Sequence, residues 1–352
     1  MKPQVGDWIE VRSKEEILAT LDRNGTLDEL PFMPQMFQYC GQKFQVYKRA
    51  HKTCDTVSGV YVGRRMPDAV HLEHRCDGQA YGGCQAECLI FWKEAWLKPV
   101  GRDASADVSH DPGASSEKPR DFGCTVDDVW KGTHEKNGQD GEKIKFTCQA
   151  TQLLNYTAPL KWWDPRQYIE DYRSGNAPLA QIFNSFLFFG FTILARNDRW
   201  GRPARWLYDR FQTLRGGTPY PRRKGTLPPD QPFPVASLDL QPGDVVRVKS
   251  YEQILATVDQ KLSNLGLNWG EELVPYCGRT YRVRSRVEKF IDERSGILKK
   301  LKTPAVILEG VTCQSRFSDK RIGCPRAIFA WWREVWLERV SDAKNPDGSE
   351  AG

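Results

Sequence analysis

The first hundred residues of this chain return as its last hundred. Gly6-Asp7-Trp8-Ile9-Glu10-Val11-Arg12-Ser13 recurs as Gly243-Asp244-Val245-Val246-Arg247-Val248-Lys249-Ser250. Ile17-Leu18-Ala19-Thr20 recurs as Ile254-Leu255-Ala256-Thr257, and Tyr39-Cys40-Gly41 as Tyr276-Cys277-Gly278. The pairs stand 237 residues apart, and the register holds without a gap from Gly6 to Pro67. Repeats this long with so wide a spacer are not the short adjacent units of a solenoid. A gap-free repeat carries one register of strands and turns, so the chain is expected to hold two copies of one module, each folding separately, with something different between them.

A length of 352 residues allows two or three domains, and the repeat boundaries favour three. We expect a first repeat over 1–100 and a flexible linker over 101–122, where Val108 and Phe122 are the only large apolar residues. A helical central region follows over 123–215, then a Pro-rich linker over 216–242, a second repeat over 243–340 and a disordered tail over 341–352. With 39% hydrophobic and 27% charged residues, wholesale disorder is excluded.

Short alternating runs such as Trp8-Ile9-Glu10-Val11-Arg12 and Lys43-Phe44-Gln45-Val46-Tyr47 have the period of half-buried strands. Val70-His71-Leu72-Glu73 is another, and the run from Glu94 to Val100 closes the unit. Ser13 and Glu16 have capping-box spacing ahead of Ile17, Leu18 and Leu21, which predicts a short helix between the first two strands. In the centre, Asp164-Pro165 is a helix start. Gly-Asp before a first strand, then several short strands and a closing strand, resembles the layout of an SH3-like small β-barrel. That resemblance implies an α+β chain, two SH3-like modules flanking a mainly helical centre.

The first repeat holds Cys40, Cys54, Cys76, Cys84 and Cys88, together with His51, His71 and His74. Cys76, Cys84 and Cys88 frame the Gly-rich run Asp77–Gly83. Zinc takes four sulfur or imidazole ligands in a tetrahedron, and glycines let a backbone fold tightly around it. Cys54, Cys76, Cys84 and Cys88 are therefore the expected zinc ligands, with Cys40 as a further candidate. The second repeat retains three cysteines (Cys277, Cys313 and Cys324) and no histidine. A site there would need Cys124 or Cys148. The alternative is that the thiols act as small buried hydrophobes.

Phe91-Trp92-Lys93-Glu94-Ala95-Trp96-Leu97 matches Trp331-Trp332-Arg333-Glu334-Val335-Trp336-Leu337. Strand alternation would put Trp92, Glu94 and Trp96 on one face, and Trp332, Glu334 and Trp336 likewise. Two readings stay open: an exposed aromatic groove with a carboxylate, suited to peptides or methylated cations, or the core of each module. The run Phe186–Ala195 is the most apolar of the chain, and Arg196, Arg199, Arg202 and Arg205 follow it with Trp200 and Trp206. Its uninterrupted core is too short to span a bilayer. Burial of most rings in segment 178–195, with an exposed tip near Phe188 and Phe189, competes with contact at a membrane surface.

The Lys and Arg excess of the second repeat, 18 against 12 Asp and Glu, equals the +6 of the whole chain. No P-loop, dinucleotide fingerprint or Ser-His-Asp order is present. The preferred function is a non-catalytic binding or scaffold protein that holds a protein partner or a membrane-associated one, with zinc as its only cofactor. One alternative is a nucleic-acid-binding protein using the basic second repeat. Another is a metal-dependent enzyme centred on the Cys-rich first repeat. The N-terminus lacks the apolar run of a signal peptide, so the expected location is the cytoplasm, free or peripheral to a membrane.

Overall fold

A computed structural model describes residues 2–60, 62–100, 123–135, 144–197 and 199–340. The expected linker 101–122 and tail 341–352 lie outside the described residues. Helices and strands are mixed, as an α+β chain requires. The chain forms two compact units. One comprises Met1–Leu194 with Lys289–Lys300 and Gln314–Ile328. The other comprises Ala195–Glu288 with Leu301–Cys313 and Phe329–Gly352.

In the first unit, Gly6 takes a φ of 90°, where a side chain would be strained, and the Asp7 carboxylate accepts from the Gln4 amide at 2.8 Å. The turn feeds β1 (Trp8–Val11), whose alternation buries Ile9 and Val11. The expected capping box starts α1 (Lys14–Leu18). The Ser13 hydroxyl accepts from the Glu16 amide at 3.2 Å, and the Glu16 carboxylate accepts from the Ser13 amide at 2.9 Å.

Six short strands follow: β2 (Lys43–Gln45), β3 (Lys48–Arg49), β4 (Lys52–Cys54), β5 (Gly63–Arg65), β6 (Ala69–His71) and β7 (Trp92–Lys93). A 3-10 turn over Glu94–Trp96 leads to β8 (Leu97–Pro99). The strands pair antiparallel as β8-β1-β2 and β3-β6-β7. A third sheet joins β4 and β5 to β9 (Ala158–Leu160). The unit's helices are α2 (Val126–Lys131), α3 (Arg166–Arg173) and α4 (Leu179–Ala195). At the start of α3, Asp164 accepts from the Arg166 amide at 3.0 Å.

The second unit opens with α5 (Gly201–Arg215). The Pro-rich segment 216–242 has no helix or strand, yet Tyr220, Leu227 and Leu240 are buried. It leads to β10 (Val245–Val248), then α6 (Tyr251–Leu255), capped by Ser250 and Gln253 as α1 is by Ser13 and Glu16. A long hairpin of β11 (Thr280–Ile291) and β12 (Leu298–Thr312) follows. Then come β13 (Phe329–Trp332), a 3-10 turn over Glu334–Trp336, and β14 (Leu337–Arg339).

The sheet order of the second copy is β13-β12-β11-β10-β14. The first copy has the same order in two pieces, β7-β6-β3 and β2-β1-β8, split where β2 and β3 part at Val46-Tyr47. In register, Lys52 of β4 falls on Lys289 of β11, and Gly63 of β5 on Lys300 of β12. Among the described residues, no pairing joins the outer strands of either copy, so neither sheet closes into a barrel.

Candidate functional site

The loop that leaves β6 folds back on itself. The Cys76 amide donates to the Cys88 carbonyl at 2.9 Å, and the Cys84 amide to the Tyr81 carbonyl at 3.1 Å. Gly78 holds the turn at a φ of 70°, and a Cβ there would collide with the Cys84 carbonyl. Only glycine fits. The fold brings Cys76, Cys84 and Cys88 to one cavity of about 40 Å³ in the first unit. Its fourth cysteine is Cys148, from the central region, and Glu87, Gln149, Glu293 and Arg326 are among its polar lining.

Donors are aimed at three of these sulfurs. Gln35 Nε2 donates to Cys76 Sγ at 3.3 Å, and the Ile291 amide donates to Cys84 Sγ at 3.3 Å. The Gly78 amide also donates to Cys76, and the amides of Ala150 and Thr151 donate to Cys148. Burial pushes the thiols of Cys76, Cys88 and Cys148 up, so without a cation they stay protonated at neutral pH. Arg326 is 2% exposed; it bonds Glu293 at 3.0 Å and Thr56 Oγ1 at 2.6 Å. Among the described residues, no group of three or more His, Cys, Asp or Glu side chains stands at coordination geometry.

Cys54, the expected fourth ligand, does not line this cavity. It is buried beside Cys324, whose thiol hydrogen-bonds it and pulls its pKa down, assisted by Arg326 and Arg321 and opposed by burial. Cys40 is half-buried and outside the cavity. The histidines are also elsewhere. His71 is buried with Nδ1 2.8 Å from the Ile90 carbonyl, and burial drives its pKa down to about 3. His74 stacks on Tyr39 at 3.7 Å, and burial lowers it to about 4. Cys148 is what sequence reasoning missed. It lies 60 residues beyond Cys88, so no local spacing ties it to the loop, and its only signal was membership of the cysteine set.

The two Trp pairs are core. Trp92, Trp96, Trp332 and Trp336 are all 0% exposed, which corrects the exposed-groove reading. The reason is the 3-10 turn inside each run, which breaks strand alternation. Phe32 packs edge-on against Trp92 and Trp96, and Trp269 does the same against Trp332 and Trp336. The carboxylates between the rings are used internally. Glu94 bonds Arg49 at 2.6 Å; Glu334 accepts from the amides of Leu238 and Leu240, at 2.5 and 3.2 Å.

Helix α4 carries no charged residue. Phe186 packs on Tyr168, Phe188 on Phe317, and Phe189 on Trp162, with centroids 4.8 to 4.9 Å apart. Its other face is bare: Leu179, Phe183, Leu187, Ile193 and Leu194 are each between 49% and 63% exposed. The exposed rings are thus not the expected tip at Phe188 and Phe189, because those two side chains meet aromatic neighbours. No helix of the described residues is long and apolar enough to cross a membrane.

Comparison with protein-family models and with curated proteins returns no match.

Proposed function

We propose that the chain is a non-catalytic binding protein in which two SH3-like modules carry a helical centre, and that α4 seats it on an anionic membrane surface. The observation that carries this reading is the bare apolar face of α4. A strongly apolar, uncharged helix is ordinarily covered by its own protein, yet Leu179, Phe183 and Leu187, at four-residue spacing, are exposed. The chain runs directly from α4 into Arg196, Arg199, Arg202 and Arg205, with Trp200 and Trp206 among them. Basic and indole groups that follow an apolar helix in the chain suit the headgroup region of anionic lipid. The SH3-like assignment is supported by the shared strand order and by the 3-10 turn before each closing strand.

Co-sedimentation of the whole chain with phosphatidylserine vesicles tests the membrane reading. Binding should exceed that to phosphatidylcholine vesicles and weaken in Phe183→Glu and Leu187→Glu. A wild-type chain left in the supernatant, with α4 engaging a protein instead, would overturn it.

A second reading, single-stranded nucleic acid, is favoured by an open cleft of about 440 Å³ in the first unit. Lys2, Arg49, Arg65, Arg166 and Arg173 line it, with Glu170 as its only acidic residue. Nearby Trp163 is exposed and carries Lys161 over its ring at 5.0 Å. Phosphate contacts would make binding fall steeply with salt, and base stacking would quench Trp163. Anisotropy of a labelled oligonucleotide across a salt series separates this reading from lipid contact.

A further inference from the structure

We propose that Cys76, Cys84, Cys88 and Cys148 bind one Zn²⁺ as a tetrathiolate, which fastens the central region to the first repeat. Four cysteines line one cavity in the first unit. The cavity is roughly the size of a few water centres, enough for an ion and too small for a substrate. That supports a structural site, in which all four positions are protein ligands, over a catalytic one.

The surroundings are those a thiolate cluster needs. Backbone amides and Gln35 donate to Cys76, Cys84 and Cys148, and such bonds gain strength when the acceptor is charged. The site carries two net negative charges once filled. The buried Arg326 guanidinium lines the same cavity, paired with Glu293, and the Lys289 ammonium reaches Gly83 of the loop. In this structure no three of these side chains stand at coordination geometry. Binding draws the sulfurs to roughly 2.3 Å from the metal by side-chain rotation and loop adjustment. Four S–H bonds are replaced by four Zn–S bonds, four protons pass to solvent, and nothing is oxidised or reduced. The second repeat has no such site: Ile328 stands opposite Cys88, and Cys324 is occupied with Cys54.

The test uses the full chain, stripped with chelator and refilled with Zn²⁺ alone. About one zinc per chain is expected by elemental analysis. It should be lost in Cys76→Ser and Cys148→Ser and kept in Cys54→Ser and Cys124→Ser. Cobalt substitution guards against variants that fail to fold. The wild type should show the visible bands of tetrahedral cobalt with strong sulfur-to-metal charge transfer. Cys148→His should keep one ion while losing about a quarter of that charge transfer. A chain that takes up no metal overturns the proposal. So does zinc lost with Cys54→Ser but kept with Cys148→Ser, or a cobalt spectrum unchanged by Cys148→His.

Discussion

The two repeats share a frame and differ in what hangs from it. Gly6 and Gly243 both sit at positive φ, and Asp7 and Asp244 each accept from the amide three residues earlier at 2.8 Å. Trp96 Nε1 donates to Thr20 Oγ1 at 3.1 Å; Trp336 Nε1 donates to Thr257 Oγ1 at 2.9 Å. Arg49 pairs with Glu94, and Arg286, its counterpart in the repeat, pairs with Glu334. What differs is the middle. The second copy runs its hairpin unbroken as β11 and β12, while the first breaks the same stretch into β2 to β6 and follows it with a cysteine loop. Duplication has kept the hydrogen-bonded frame and left the loops free to acquire chemistry.

If the frame is the same, truncating matched core rings should cost the same. Trp96→Ala and Trp336→Ala are each expected to lose about 3–5 kcal/mol in urea unfolding. A loss below about 1 kcal/mol in one copy would mean that its core is not built around that ring. The Arg–Glu pair should divide the copies. Arg49 is the more deeply buried (4% against 23% of the side chain exposed), so Arg49→Gln should cost about 2–3 kcal/mol and Arg286→Gln about 1 kcal/mol. Equal losses would remove burial as the distinction.

Thr257→Val should orphan the buried Trp336 N–H at a cost of about 1–2 kcal/mol; Thr20→Val, at a half-exposed position, should cost less. The reverse order would show that water does not reach the first site. The smallest effect is a pH dependence confined to one copy. A hydrogen bond from Lys98, with the Ser13 amide, holds the Glu16 carboxyl down at about 2 against an ordinary 4.5. Its depressed value means that the cap contributes above pH 4.5 and is lost as pH falls towards 2. Gln253, its counterpart, does not titrate. The Ser13 amide resonance should therefore move across that window while the Ser250 amide stays still, and Glu16→Gln should abolish the difference.

Much of this was legible in the sequence because it is local. The capping box at Ser13 and the Gly-Asp turns depend on residues three apart and stand where spacing put them, while the helix expected to be capped by Asp164 starts one residue later, with Pro165 at its N-cap. The Trp pairs were half legible. Alternation brought both rings to one side but assumed a continuous strand, and the 3-10 turn at Glu94 turns that carboxylate to Arg49 rather than to a ligand. The partnership of Cys148 with the loop was not legible, since only tertiary folding joins residues so far apart. The bare face of α4 was hidden for a different reason. Its polar residues do not mark the open side, since Asn184 is exposed while Ser185 and Thr192 are buried, so the pattern does not separate the packed face from the bare one.

The cavity walls also include Ile291, Glu293 and Arg326, from the hairpin tip and the loop that belong with the first unit. During translation, at about 5–20 residues per second, Arg326 emerges on the order of ten seconds or more after Cys148. Until then the nascent chain holds all four cavity cysteines but only part of the wall around them. A chain cut short before Lys289 would thus lack part of its first unit as well as of its second.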